Sequence, residues 1–217
     1  MAILKPIFLD IETVPNERHV SFLDPIKVPK TYKKEEAIDA YVAKKKVERY
    51  DKMALDIDHA QIVAVGYAVG FEHDPRCIIA RSYEEEEELL KFIWQLLRTT
   101  DNQIVGWNVR SFDIPILIRR AWWYDIKVHA RRHIDPNQRY SNEIIDLMER
   151  MYHYGYSPGV KWRSLDKVCA MYQIPNKYPA LDGSYVKDMT DAELREYSKN
   201  DIRMTRQLAV ATKNYYW

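Results

Sequence analysis

The heptapeptide Ile7-Phe-Leu-Asp-Ile-Glu-Thr13 restricts the fold of this chain more than any other feature, because it sets two acids, Asp10 and Glu12, inside an apolar run. Short apolar runs bounded by turn residues read as buried strands, and one is predicted here over Pro6–Ile11. Residues two apart in a strand share a face, so both carboxylates point the same way. Like charges side by side in a sheet core repel and lose hydration, at a cost of several kcal/mol unless cations compensate. Hard oxygen ligands of this kind select Mg²⁺ or Mn²⁺. The same residues also fit a strand that ends near Asp10 with both acids in a solvated loop, and the motif alone does not choose.

Beyond Gln61 the chain alternates between strand and helix patterns. Strands are predicted over Gln61–Gly70 and Cys77–Ala80. Ser82-Tyr-Glu-Glu85 is a capping box, and Leu89, Phe92, Ile93 and Leu96 then recur at helical spacing up to Thr99 or Thr100. A strand over Gln103–Gly106 hands over to a helix over Ile114–Trp123, entered through Pro115 near its first turn. A short helix, Leu165–Tyr172, follows the cap residue Ser164, and a Pro/Asn/Gly-rich loop runs from Ile174 to Lys187. Thr190-Asp-Ala-Glu193 caps a last helix, on which Leu194, Tyr197, Asp201, Met204 and Leu208 share a face. The alternation predicts an α/β layer fold.

With 217 residues, 47% of them hydrophobic, the chain suffices for a single domain spanning 1–217. A charged helical insertion at about 15–60 separates the first two strands. Its Lys44-Lys45-Lys46 run reads first as a solvated face and second as a grip on phosphates, and the basic loop Arg131, Arg132, His133 reads the same way. Lys and Arg total 33 against 32 for Asp and Glu, so any hold on nucleic acid must come from local patches or bound metal. Cys77 and Cys169 match no metal-binding spacing and form no disulfide framework. A reduced, cytoplasmic protein is expected. No apolar run approaches membrane-spanning length, so no membrane partner is expected.

Two further segments carry acids at informative places. Asp113 ends Asn108-Val-Arg-Ser-Phe112-Asp113 at a strand-to-helix junction, where α/β folds build their sites; alone it reads first as a helix cap and second as a site residue. Tyr197 and Asp201 project together from the last helix at i and i+4. Alone, that pair fits a buried Asp bonded to a neighbour, with Tyr197 as packing.

Taken in order, Asp10-Ile-Glu12, Asn108-Val-Arg-Ser-Phe112-Asp113 and Tyr197-Ser-Lys-Asn-Asp201 resemble the signatures of the tyrosine subclass of DEDD 3′-5′ exonucleases. The chain is similar in particular to stand-alone relatives of the family-B DNA polymerase exonuclease domain, a likeness that also takes in Ile144-Ile-Asp146-Leu-Met, Ser164-Leu-Asp-Lys-Val and Asp182-Gly-Ser-Tyr-Val186. The resemblance spans 6–212 apart from the stretch between Val14 and Gln61. At Tyr185 the chain departs from the polar residue expected of such relatives.

The resemblance implies a ribonuclease H-like fold, a mixed central sheet with helices on both faces. It implies hydrolysis at the 3′ end of DNA, preferably single-stranded or frayed, releasing nucleoside 5′-monophosphates with two Mg²⁺ or Mn²⁺ ions. Asp10 is then expected to bridge both ions, Glu12 and Asp201 to complete the site that holds the attacking water, and Asp113 to hold the second ion, partly through water. Tyr197 is expected to orient the water and not to take its proton, since an unperturbed phenol has a pKa of about 10. Thr13, Asn108 and Phe112 are candidates for holding the terminal nucleotide, Phe112 by stacking. A polymerase or other replication protein is the implied partner. Two rival readings are an RNase D-like exoribonuclease, which shares these residues, and an inactive nucleic-acid-binding module, whose expected mark, a lost carboxylate, is missing here.

Overall fold

A computed structural model describes residues 5–99, 103–128, 143–152, 161–179, 181 and 183–216. Its strands are β1 (Ile7–Pro15), β2 (Ala60–Val69), β3 (Arg76–Ile79), β4 (Ile104–Gly106) and β5 (Ile144–Asp146). Its α-helices are α1 (Glu35–Met53), α2 (Tyr83–Thr99), α3 (Asp113–Trp123), α4 (Leu147–Met151), α5 (Leu165–Met171) and α6 (Asp191–Tyr216). Two 3₁₀ turns, Glu17–Phe22 and Gly183–Asp188, complete the described elements.

The sheet runs β3-β2-β1-β4-β5, with β1/β2 and β2/β3 antiparallel and β1/β4 and β4/β5 parallel. Alternation along β1 sorts the two layers. Ile7, Leu9 and Ile11 enter a core shared with Leu90 and Ile93 of α2 and Ile114 and Leu117 of α3. Phe8 faces the other way, into a core with Val168 and Cys169 of α5 and Ile202 and Leu208 of α6. The result is the mixed sheet with helices on both faces that the ribonuclease H-like expectation requires. No helix among the described residues is long and apolar enough to cross a membrane.

Most element boundaries fall within a residue or two of those read from the sequence, and β1 is the exception. It continues past Ile11 to Pro15, so Asp10 and Glu12 lie within a paired strand and not in a loop. The extension includes an irregularity: Glu12 pairs with Ala64 and Thr13 with Ile62, leaving Val63 as an extra residue in β2. Such bulges twist the ladder locally and re-aim side chains beside active sites. The neighbouring Ile62 N–H donates to Glu86 Oε1 at 3.0 Å. Glu86 is fully buried and forms a two-pronged ion pair with Arg120, both contacts at 2.7 Å, while the Tyr124 hydroxyl donates to it at 2.9 Å. Removing either charge would strand the other in the core, at a cost of about 3–5 kcal/mol.

Helix α6 begins as its sequence requires. Thr190 N–H and Oγ1 both donate to Glu193 Oε2, at 2.9 and 2.7 Å, in the reciprocal geometry of a capping box. At α2 the box is modified: Ser82 Oγ caps the Glu85 N–H, but Glu85 reaches back to the Arg81 N–H and not to that of Ser82.

What lets α6 come close to the sheet is Gly66, which lies opposite Asp10 in β2. A Cβ placed on Gly66 would sit 2.5 Å from Ser198 Oγ and 3.1 Å from the Ser198 carbonyl oxygen. Its neighbours on that face of β2, Ala64 and Ala68, are also small and buried. The Gly66→Ala variant is expected to lose about 1–3 kcal/mol by overpacking. It should also lift α6 from β1, so urea denaturation should show the loss of stability together with weakened divalent-metal binding. A Gly66→Ala protein as stable as the parent would show that α6 does not need this contact.

Candidate active site

Strand pleat and helix approach together gather the acids. Asp10, Glu12 and Asp201 each offer a carboxylate oxygen, and these oxygens lie within 4.8 Å of one another. Glu12 is buried, whereas Asp10 and Asp201 are partly exposed. The first two come from one face of β1. Asp201 comes from the third turn of α6, held over β1 by the Gly66 contact.

Tyr197, one turn earlier on α6, packs with Val63, Ala64, Cys77 and Leu194. Hydrogen bonds from Asn200 and Tyr197 to the Asp201 carboxyl favour its charged form. Asn200 in turn donates to Asn176 Oδ1 at 3.0 Å, fixing α6 to the loop after α5. Tyr197 and Asp201 open on a cleft of about 480 Å³ whose far wall is Ser164, Asp166 and Lys167 of the α5 turn. Sequence reasoning gave Asp166, Lys167 and Asn176 no role; the Ser164-Leu-Asp-Lys segment was the signal for the first two.

Asp113 stands apart from the trio. It is buried at the first residue of α3, and its Oδ1 accepts the Ile11 N–H at 2.9 Å, between Asp10 and Glu12 in β1. The helix-cap alternative is thus replaced by a link from helix to strand: the N-cap is Phe112, with no side-chain cap bond. Asp146, at the end of β5, organises the turn that delivers Asp113. Its carboxylate accepts the N–H groups of Asn108, Arg110 and Glu149 at 3.1, 3.0 and 3.2 Å. Arg110 forms a buried ion pair with Glu149 at 2.9 Å and donates to the Ile144 carbonyl. At the start of this turn a Cβ on Gly106 would lie 2.8 Å from the Leu9 carbonyl, so only glycine lets the end of β4 lie this close to β1.

The three candidate substrate contacts take different positions. Asn108 adopts φ 60°, a left-handed conformation that Asn tolerates better than most residues. Its backbone therefore accounts for its identity without any ligand. Phe112 is partly buried against the α2/α3 core. The Thr13 hydroxyl donates to the Ala54 carbonyl at 2.6 Å, tying β1 to the end of α1. In the basic run, Lys44 and Lys45 pair with Glu48 at 3.9 and 2.5 Å, which fits the solvated face. Arg131, Arg132 and His133, and with them Asp182, lie outside the described residues.

The carboxylates make one another hard to ionise. Burial raises the pKa of Asp10, Glu12 and Asp201 well above the ordinary range, and the charges of Asp113 on Asp10, and of Asp10 on both others, raise them further. Burial also lifts Asp113 to about 7, against the hydrogen bond from Ile11. The donor set is all carboxylate oxygen, short of positive charge, and so fits a divalent cation.

In the metal-free protein the folded state keeps its Asp113 proton up to about pH 7, while an unfolded chain releases it near 3.8. The folded form therefore binds more protons between those values. Stability is greatest below pH 3.8 as far as this group is concerned, declines as pH rises towards 7, and is level above. A scan of melting temperature in EDTA should show that decline, at about 2–4 °C per kcal/mol for a protein of this size. Divalent ion should reverse it, and Asp10→Asn should raise the melting temperature at neutral pH. A melting temperature independent of both pH and metal would exclude a strained carboxylate cluster.

No curated protein matches the chain. Residues 55–208 match the family described as a predicted 3′-5′ exonuclease related to the exonuclease domain of PolB. The span includes Asp113, Tyr197 and Asp201, and begins after β1 and α1. The chain therefore belongs to the family of predicted 3′-5′ exonucleases related to the exonuclease domain of PolB.

Proposed function

We propose that the protein is a metal-dependent 3′-5′ exonuclease that hydrolyses the terminal phosphodiester of DNA, favours single-stranded or frayed ends, and releases nucleoside 5′-monophosphates. The observation that carries this reading is the convergence of Asp10, Glu12 and Asp201 within 4.8 Å, beside Tyr197. The kinship with the exonuclease domain of PolB supports a 3′ end as the substrate. DNA follows from the polymerase resemblance.

Two Mg²⁺ or Mn²⁺ ions, when bound, supply an activated water and neutralise charge on the phosphate. Asp10, Glu12 and Asp201 would hold them, with Asp113 as a further carboxylate ligand. The hydrogen bond from Ile11 uses one Asp113 oxygen and fixes that carboxylate's orientation. Tyr197 has its ring packed among Val63, Ala64 and Leu194, so its hydroxyl is held at the Asp201 edge, where it would orient the attacking water. The Asp166 and Lys167 wall bounds the cleft in which the terminal nucleotide sits.

End-labelled single-stranded DNA, duplex DNA and RNA, each with Mg²⁺, Mn²⁺ or EDTA, test the reading directly. Shortening from the 3′ end should be fastest on single-stranded DNA and absent in EDTA. Undiminished hydrolysis after chelation would overturn the mechanism, and a preference for RNA would favour the RNase D-like alternative.

Tyr197→Phe separates an oriented water from a simple acidic metal site. It removes one hydroxyl and keeps the ring, so turnover should drop roughly tenfold to a hundredfold, the equivalent of one hydrogen bond of about 1–3 kcal/mol. Metal affinity should hardly change. Asp201→Asn, which removes a ligand, should cost metal affinity and nearly all turnover. Full rate in Tyr197→Phe, measured by single-turnover kinetics, would make Tyr197 a packing residue.

A further inference from the structure

The arm between β1 and β2 lies outside the span that matches the exonuclease family, which begins at residue 55, yet it is built against the site. Thr13 immediately follows Glu12 and bonds the Ala54 carbonyl just past α1. The arm is also tied to itself: Arg49 donates to the Asp24 carbonyl at 2.5 Å, and the Tyr50 hydroxyl donates to Glu17. Lys187, in the 3₁₀ turn ahead of α6, pairs with Asp51 of α1 at 3.4 Å.

Three hollows run in sequence along these contacts. The catalytic cleft, with Tyr197 and Asp201, extends to Gly183. Gly183 also borders a second hollow of about 280 Å³, lined by Thr13, Ala54 and Ser184. A Cβ at Gly183 would meet nothing within 4 Å among the described residues, so they leave the two hollows open to each other there. The second hollow shares Asp51 and Lys187 with a third, of about 670 Å³, between α1 and residues 20–26. The walls of the third are apolar, from Val20, Leu23, Ile26 and Val47, and Val47 is 62% exposed. Lys46, Arg49 and Lys187 stand on its rim against Asp24 and Asp51.

We propose that this arm groove is a binding track for single-stranded nucleic acid, holding the nucleotides upstream of the 3′ end that enters the catalytic cleft. The proposal rests on the exonuclease reading of the cleft. Apolar walls receive base faces and cations on the rim receive phosphates, a combination that grips a single strand without reading its sequence. Continuity with the cleft through Gly183, Asp51 and Lys187 makes a strand the occupant, since a strand fed into the cleft must leave it by a neighbouring hollow. The basic run is thereby divided: Lys44 and Lys45 are held by Glu48 on the solvated side, and Lys46 faces the track.

The test is equilibrium binding of 5′-labelled oligothymidylates, a trimer, a hexamer and a dodecamer, followed by fluorescence anisotropy with Ca²⁺ as the metal. Affinity of the parent protein should climb with length, the dodecamer binding about tenfold or more tighter than the trimer, as expected when further bases and phosphates are engaged. The double variant Val47→Glu, Lys46→Glu, at two exposed positions, should erase most of that advantage. Lys46→Ala with Lys187→Ala should flatten the dependence of log affinity on log salt by about 0.7 for each phosphate that is no longer neutralised. Melting curves check that each variant remains folded. A dodecamer bound no tighter than the trimer, or a length advantage and salt slope unaltered in both variants, overturns the proposal and leaves the groove to a protein partner. Failure of the exonuclease reading is separately visible, as absence of dodecamer hydrolysis by the parent protein in Mg²⁺ or Mn²⁺.

Discussion

The mutual repulsion of Asp10, Glu12 and Asp201 is the constraint around which the rest of the molecule is arranged. Three carboxylates within 4.8 Å, with desolvation raising every one of their pKa values, is an arrangement that opposes folding. It persists because the surrounding contacts over-determine it. β1 pairs with β2 along its whole length and with β4 at Ile7 and Phe8, so the β2 ladder holds Asp10 and Glu12 in place against fraying. Opposite Asp10, Gly66 removes the one side chain that would hold α6 away. A divalent cation bound among these carboxylates would relieve that strain.

A second set of buried polar contacts supports the site from the other layer. Asp146 uses its carboxylate on three backbone N–H groups, and so folds the β4–α3 turn into the shape that presents Asp113 to the Ile11 N–H. Glu86 does the same for the bulged edge of β2 through Ile62, with Arg120 neutralising it. These acids are buried more deeply than Asp10 and Asp201, but each is fully engaged by donors. The difference between a structural and a candidate catalytic carboxylate in this fold is therefore one of degree: both oxygens of Glu86 and Asp146 are taken up by donors, whereas Asp113 accepts one N–H through one oxygen.

The arm stands in a different relation to the fold. Helix α1 is polar over most of its surface and buries little beyond Met53. Its order comes from particular links, Thr13 to Ala54, Arg49 to Asp24 and Lys187 to Asp51, and not from a core of its own. Elements held by few buried contacts open at lower cost than the sheet. That suits the proposed role of a surface that admits and releases a long flexible substrate while the carboxylate cluster stays rigid.

Local sequence determined the elements and the residue types of the site. The apolar run of β1 with Asp10 and Glu12 two apart, the capping box at Thr190 and the i, i+4 spacing of Tyr197 and Asp201 each depend on neighbours a few residues away, so they are legible in the chain. Tertiary structure alone decided how those pieces meet. Nothing near Asp113 in sequence shows that its carboxylate bonds a backbone N–H 102 residues earlier. Nothing around Gly66 shows that the missing side chain makes room for Ser198. The length of β1 past Ile11 and the extra residue at Val63 arise from pairing with β2, and the left-handed turn at Asn108 from the Asp146 carboxylate. These are effects of chain segments distant in sequence and adjacent in space, which only the packed sheet brings together.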